Sequence, residues 1–94
     1  MKVYLAGAMR GHDDLNAPAF AAAADALRQQ GHEVFNPAAA NLAGWGIRKI
    51  MAYELAWICN EADAVALLQG WQVSLGARTE HELAKAIGIE IIYL

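Results

Sequence analysis

The spacing of apolar residues changes repeatedly along this chain, and each change marks an element. Val3–Ala6 is a short apolar run closed by Gly7, the pattern of a buried strand followed by a tight turn. Asn16 stands at a helix N-cap position, with Pro18 in the first turn and Phe20, Ala24 and Leu27 along one helical face. Gly31 is predicted to stop that helix. Glu33–Phe35 reads as a short strand ended by Asn36-Pro37, with a loop of small residues after it. Helical spacing returns from Ile47 to about Asn60. Ala64–Leu68 is a second strongly apolar strand, ended by Gln69-Gly70. A loop through Trp71 and Ser74 then leads into a helix reaching Ile87, closed by Gly88 in the C′ position, and Ile89–Leu94 is the last strand.

The predicted order is β-α-β-α-β-α-β with short connections. Strands that alternate with helices imply a parallel sheet with right-handed crossovers. The near-continuous apolar strands agree, because a parallel strand is covered on both sides. The expected fold is therefore three-layer α/β, flavodoxin/Rossmann-like, with about four parallel strands and helices on both faces. Ligands in such folds bind beyond the carboxyl ends of the strands. That directs attention to the loops Gly7–Gly11, Asn36–Trp45 and Gln69–Arg78.

Composition narrows the picture. The 94 residues make a single domain, 1–94. With 57% apolar and 18% charged residues the chain has too much to bury to be disordered. Alanine supplies 21 residues, which suits helices packed closely on a sheet. A chain this short buries only about 60–65% of its unfolded surface, so self-association to cover spare apolar area is expected. The net charge of −3, without a run of Lys or Arg, argues against a nucleic-acid polymer as partner. The single Cys59 excludes an intramolecular disulfide and a Cys-based zinc site. No window approaches ~18 apolar residues and the start is too short for a signal peptide, so a soluble, cytoplasmic protein without membrane partner is expected.

Two carboxylates break the helical pattern. The second helix carries its apolar stripe at Ile47, Ile50, Met51, Leu55 and Ile58, and position i+7 of that stripe is Glu54. In the third helix Leu83, Ala84 and Ile87 share a face with Glu80, whereas Glu82 and Lys85 fall off it. Two glutamates from successive helices thus point toward the sheet. An unpaired buried carboxylate costs several kcal/mol or becomes protonated. Taken singly, each is explained by pairing with Arg10, Arg48 or Arg78, or by a water-filled cleft. Taken together, at the ligand edge, they form the equipment of glycosyl transfer, in which one carboxylate attacks or steadies an anomeric carbon and the other moves protons. A like-charged neighbour and partial burial raise one pKa and keep an acid available near neutral pH.

The remaining motifs are less specific. Gly7-Ala8-Met9-Arg10-Gly11 follows a strand, but its G-x-x-x-G spacing fails as a dinucleotide fingerprint. It is either an ordinary tight turn or a close backbone approach to a ligand, with Arg10 facing a phosphate or sugar. Ser74 either simply N-caps the third helix or, with Arg78 near that helix start, helps form an anion site. His12, His32 and His81 lack metal-ligand spacing, so no metal or other cofactor is expected, and Ser74 has no evident His–Asp pair. Trp45, Trp57 and Trp71 suit a core or an interface, with Trp71 the one placed to serve as a base platform or pocket wall. Asp63 reads as a turn residue, and Tyr4 as plain core or a hydroxyl presented at the sheet edge.

Three stretches together resemble the nucleoside 2-deoxyribosyltransferase superfamily, which includes the 2′-deoxynucleoside 5′-monophosphate N-glycosidases. They are Val3–Gly11, Ala62-Asp63-Ala64-Val65, and the segment Gly70-Trp71-Gln72-Val73-Ser74-Leu75-Gly76-Ala77-Arg78-Thr79-Glu80. The last is similar to the G-W-x-x-S-x-G-A-R-x-E pattern of a short branch found in bacteria and phages. The resemblance implies that Glu80, six residues after Ser74, is the nucleophile that forms a glycosyl-enzyme intermediate. Gly88, eight residues after Glu80, also fits that pattern. It implies that Glu54, where the family usually has Asp, assists the leaving base, and that Tyr4 orients the nucleophile. Arg10 and Ser74 match positions that contact a 5′-phosphate, and Ala8 replaces a serine used for that phosphate. Gly7, Met9, Gly11, Trp71, Gly76 and Arg78 complete the implied substrate-binding set.

The expected function is cleavage or transfer at the N-glycosidic bond of a small-molecule (deoxy)nucleoside or nucleotide by double displacement, with no metal. The alternatives are a non-catalytic module that senses or sequesters a nucleotide-like ligand, and a purely structural protein.

Overall fold

The computed structural model describes residues 1–94. Its elements are β1 (Lys2–Ala6), α1 (Ala17–Gln29), β2 (Glu33–Phe35), α2 (Ile47–Glu61), β3 (Ala64–Leu67), α3 (Leu75–Ile87) and β4 (Glu90–Tyr93). Short 3₁₀ turns at Asp13–Asn16 and Trp71–Val73 precede α1 and α3. The strands form one parallel sheet in the order β2-β1-β3-β4. In this three-layer α/β fold α1 covers one face of the sheet, while α2 and α3 cover the other. No helix is long and apolar enough to cross a membrane.

Residue alternation in the central strands builds two separate cores. Val3 and Leu5 of β1 and Ala64 and Ala66 of β3 point toward Phe20, Ala24 and Leu27 of α1. The intervening Tyr4, Ala6, Val65 and Leu67 point toward Ile58 of α2 and Ala77 and Ala84 of α3. All four strand residues on each face are buried. Such double coverage is why β1 and β3 are apolar throughout.

Local signals end the helices largely as their residues require. The Ser74 hydroxyl accepts the N–H of Ala77 at 3.1 Å and caps α3. Gly88 closes α3 with φ of 78°, and the N–H groups of Gly88 and Ile89 return to the carbonyl of Ala84. Asn16 departs from expectation. It precedes α1, but its side chain donates to the carbonyl of Ala8 at 3.0 Å and leaves the helix uncapped. The cause is local backbone: Asp14, Leu15 and Asn16 all hold positive φ of 51°, 51° and 63°. Left-handed conformation costs ~1 kcal/mol or more for each such residue, and the side-chain staple to Ala8 helps to hold it.

The chain continues from β1 to one edge of the sheet and from β3 to the other. The carboxyl ends of β1 and β3 therefore diverge into a crevice at the topological switch point, where ligands bind in sheets of this kind.

Candidate active site

A cavity of about 840 Å³ opens at that crevice. Its lining comes from the loops after all of β1, β2 and β3 and from the inner faces of α2 and α3. Tyr4, fourth residue from the chain start, is fully buried, with its ring stacked on Phe35 at 5.2 Å and tilted against Trp57 at 6.2 Å. These rings fix the direction of the phenol. Its hydroxyl donates to Oε2 of Glu80 at 2.6 Å, a short, charge-assisted geometry when the carboxyl is ionised. Glu80 is 4% exposed and lies in the second turn of α3, and Glu54 is 7% exposed in the middle of α2.

Neither glutamate takes part in an ion pair, since every salt bridge lies at the surface among other residues. The arginine pairings that would make these carboxyls purely structural do not form. Burial without a countercharge has a direct electrostatic consequence. It pushes Glu80 up from 4.5 to about 8, the negative charge of Glu54 adds to the rise, and the Tyr4 hydrogen bond opposes it. Burial also raises Glu54, opposed by hydrogen bonding with Tyr4 and Glu80. Tyr4 is held well above the usual phenol value, first by burial and then by the two carboxyls. Burial and mutual repulsion thus favour a shared proton on the acid pair.

The structure brings Tyr4, Gly7, Met9, Arg10, Glu54, Ser74, Gly76 and Glu80 together around this cavity. Arg10 is the sole cation in its lining. Gly7 is needed for a reason within the chain itself, because a Cβ there would stand 2.8 Å from Cδ1 of Leu68. Gly76 is different: a Cβ would meet only Ser74 Oγ and Met51 Sδ, at 3.8 and 3.9 Å.

Gly11, Trp71 and Arg78 lie outside the cavity. Gly11 is an exposed turn residue with φ of 83°. Arg78 is two residues from Glu80, and residues so spaced face opposite ways on a helix. Trp71 and Arg78 instead line a separate groove of about 540 Å³ with His81 and Glu82. There Trp71 lies 4.5 Å from the His81 ring, whose Nε2 is 3.0 Å from the Tyr93 hydroxyl. Trp71 is thus a wall of this outer groove and not of the larger cavity. No three His, Cys, Asp or Glu side chains come together as metal ligands.

Sequence reasoning missed other cavity residues, among them Leu15, Asn41 and Leu42. Asn41 and Leu42 lie in the flagged loop after β2, but no spacing rule singles out a residue in an irregular loop. Ile47, Ile50 and Met51 were legible as a stripe, yet Ile47 is 53% exposed and the three line the cavity rather than fill the core. Ile87, at the end of the α3 stripe, is likewise exposed.

No curated protein and no solved structure matches the chain. The model of the family described as "Domain of unknown function (DUF4406)" matches residues 1–93, and the chain belongs to that family.

Proposed function

We propose that this cavity binds a nucleoside or nucleotide and cleaves or transfers at its N-glycosidic bond. The observation that carries the reading is the buried 2.6 Å hydrogen bond from Tyr4 to Glu80, set beside a second buried carboxyl and free of any countercharge. A protein that retains two such carboxyls in an apolar face gives up stability to keep them. Their location at the switch-point crevice supports a chemical use, as does the resemblance to nucleoside 2-deoxyribosyltransferases.

In this reading Glu80 is the nucleophile and Glu54 the acid. As the bond from C1′ to the base lengthens, positive charge grows on the sugar and favours ionised Glu80, so the pair's proton shifts to Glu54. A Glu80 oxygen bonds to C1′, the C1′–N electron pair leaves with the base, and the base takes the proton from Glu54. Water, or the nitrogen of a second base, then attacks C1′ and gives a proton to Glu54, and Glu80 departs as carboxylate. Tyr4 holds the attacking carboxylate in line. Arg10 and the Ser74 hydroxyl face the sugar or its 5′ substituent. Exposed Leu15, Ile47, Val73 and Leu75 border the opening, and a second copy of the chain covering them makes the working form a homodimer or larger.

A second reading is a non-catalytic module for a nucleotide-like ligand. It is favoured by one observation: Glu80 is buried beside a second carboxyl with no countercharge, which raises its pKa and favours a neutral acid that donates a hydrogen bond over a nucleophile. Chromatographic detection of free base, after incubation with a panel of deoxynucleosides and deoxynucleotides, separates the two. Base release that disappears in Glu80→Gln supports the enzyme. A panel member that raises the melting temperature of both proteins without base release supports the module.

A further inference from the structure

The cationic side chains divide between the two edges of the sheet in a way that no run along the chain reveals. Lys2 opens β1, and Arg28 and Lys85 stand in the last turns of α1 and α3, all at the amino edge of the parallel strands. Each has an acidic partner: Lys2 has Glu33 and Glu61, Arg28 has Asp25, and Lys85 has Glu82. The other four of the seven Lys and Arg residues are Arg10, Arg48, Lys49 and Arg78, and none of them forms a salt bridge. All four are exposed and lie at the carboxyl edge. Arg10 lines the cavity, Arg48 and Lys49 belong to the first turn of α2, and Arg78 is the fourth residue of α3.

This placement opposes folding. A helix N-terminus carries partial positive charge and repels cations, whereas Arg28 and Lys85 occupy the favourable ends of their helices. The first turns of α2 and α3 contain no acid to offset the repulsion. Lys49 holds its Nζ 4.1 Å from the centre of the Trp45 ring, a contact that positions the ammonium without neutralising it. Glu82 shares the outer groove with Arg78, but its carboxylate lies 3.2 Å from His81 and 3.9 Å from Lys85. Asp13 and Asp14 stand at the same edge, in the turn before α1, and pair with no cation. A chain of net charge −3 thus gathers an excess of exposed, unpaired cations around one cavity.

Arg10 alone suffices for a single phosphate inside the cavity. The three cations outside it exceed what a nucleoside or a monophosphate requires. They match a chain of phosphates that leaves the cavity by its mouth. We propose that the ligand is a nucleoside di- or triphosphate, whose nucleoside lies against the acid pair and whose terminal phosphates are drawn by Arg48, Lys49 and Arg78. The inference rests on the glycosidic reading for the nucleoside half, while the phosphate half stands on the distribution of charge.

The test is calorimetry with 2′-deoxyadenosine, thymidine and the mono-, di- and triphosphates of each, without divalent cations, with base release followed in parallel. In at least one series affinity is expected to rise by about tenfold or more from monophosphate to triphosphate. High ionic strength should remove most of that gain, because exposed charges are screened. Arg48→Gln combined with Lys49→Gln should bring the triphosphate close to the monophosphate, and Arg78→Gln should act in the same direction. Without ligand the double variant should melt at or above the temperature of the unaltered protein, because it relieves repulsion at the start of α2. Equal affinity for mono- and triphosphates in both series overturns the inference, as does a triphosphate preference that the variants leave intact. So does a double variant that melts well below the unaltered protein, which assigns the cations to the fold. Inorganic tripolyphosphate or a single-stranded oligodeoxynucleotide that binds as tightly as the triphosphates also overturns it. If base is released from nucleosides and their phosphates at equal kcat/KM, the inference fails and the glycosidic reading stands. If a triphosphate binds preferentially through Arg48 and Lys49 but no base appears, the phosphate preference stands and the glycosidic reading fails.

Discussion

The two faces of the sheet use the same strands for different ends. On the α1 face, Val3, Leu5, Ala64 and Ala66 meet Phe20, Ala24 and Leu27, and no polar side chain is buried among them. On the α2–α3 face, Tyr4, Ala6, Val65 and Leu67 meet Ile58, Ala77 and Ala84, with Glu54 and Glu80 buried in the covering helices. Only the residue parity of β1 and β3 separates one set from the other. The first face supplies stability through apolar burial, at roughly 25 cal/mol per Å². The second accepts two carboxyls whose desolvation opposes folding. A chain of this size tolerates the second face because the first carries no comparable cost.

Substitutions on each face sharpen the contrast. The largest effect is expected from Glu80→Gln: base release falls by about 10³-fold or more, as for loss of an enzymatic nucleophile. The same variant keeps or raises the melting temperature at pH 8, because it removes a buried charge. Phe20→Ala on the opposite face should do the reverse. It removes a fully buried ring and costs about 3–5 kcal/mol in denaturant unfolding, while the rate per folded molecule stays near that of the unaltered protein.

The dependence of stability on pH separates the faces as well. Glu80 titrates at about 8 in the folded chain against an ordinary value of 4.5, so the unfolded chain releases this proton first. The stability contributed by this carboxyl is therefore present in full below about pH 4.5 and is lost as the pH rises through about 8. Urea unfolding at a series of pH values should show this decline, and Glu80→Gln should flatten most of it. Phe20→Ala shifts the whole curve down without changing its slope.

Tyr4→Phe is a finer test within the second face. The hydroxyl bond lowers the Glu80 pKa, so its removal should move that titration above about 8. A slower reaction, by ~10–100-fold, with the alkaline shift of its pH profile, distinguishes alignment of Glu80 from mere packing. The smallest effect is expected from Trp71→Ala, which alters the outer groove with His81 and leaves base release within about twofold. A large loss of rate there would return Trp71 to the ligand site.

Much of this arrangement is legible in the residues because helices and strands are strictly periodic. The parity of β1 follows from one apolar run, and the inward direction of Glu54 and Glu80 follows from the stripes they interrupt. The same periodicity, applied to the spacing of Arg78 and Glu80, separates those two side chains onto opposite faces of α3. What periodicity does not reach is irregular backbone and contact across the sheet. The left-handed run Asp14–Asn16, the redirected Asn16 amide and the loop residues Asn41 and Leu42 depend on tertiary surroundings. So does the wedge of Phe35 and Trp57 behind Tyr4, contributed by β2 and α2. The exposure of Ile47 likewise reflects an open cavity where the stripe alone predicts a packed core.

The most direct test of the central claim is a search for the covalent intermediate on the α3 carboxyl. The protein is mixed with a substrate that releases base, quenched in acid, digested, and the peptide containing Glu80 is analysed by mass spectrometry. This peptide is expected to gain the mass of one deoxyribose less water on Glu80, or of one deoxyribose phosphate less water when the substrate is a nucleotide, and the adduct to be absent from Glu80→Gln. Base release without any adduct, retained at an undiminished rate in Glu80→Gln, would contradict it.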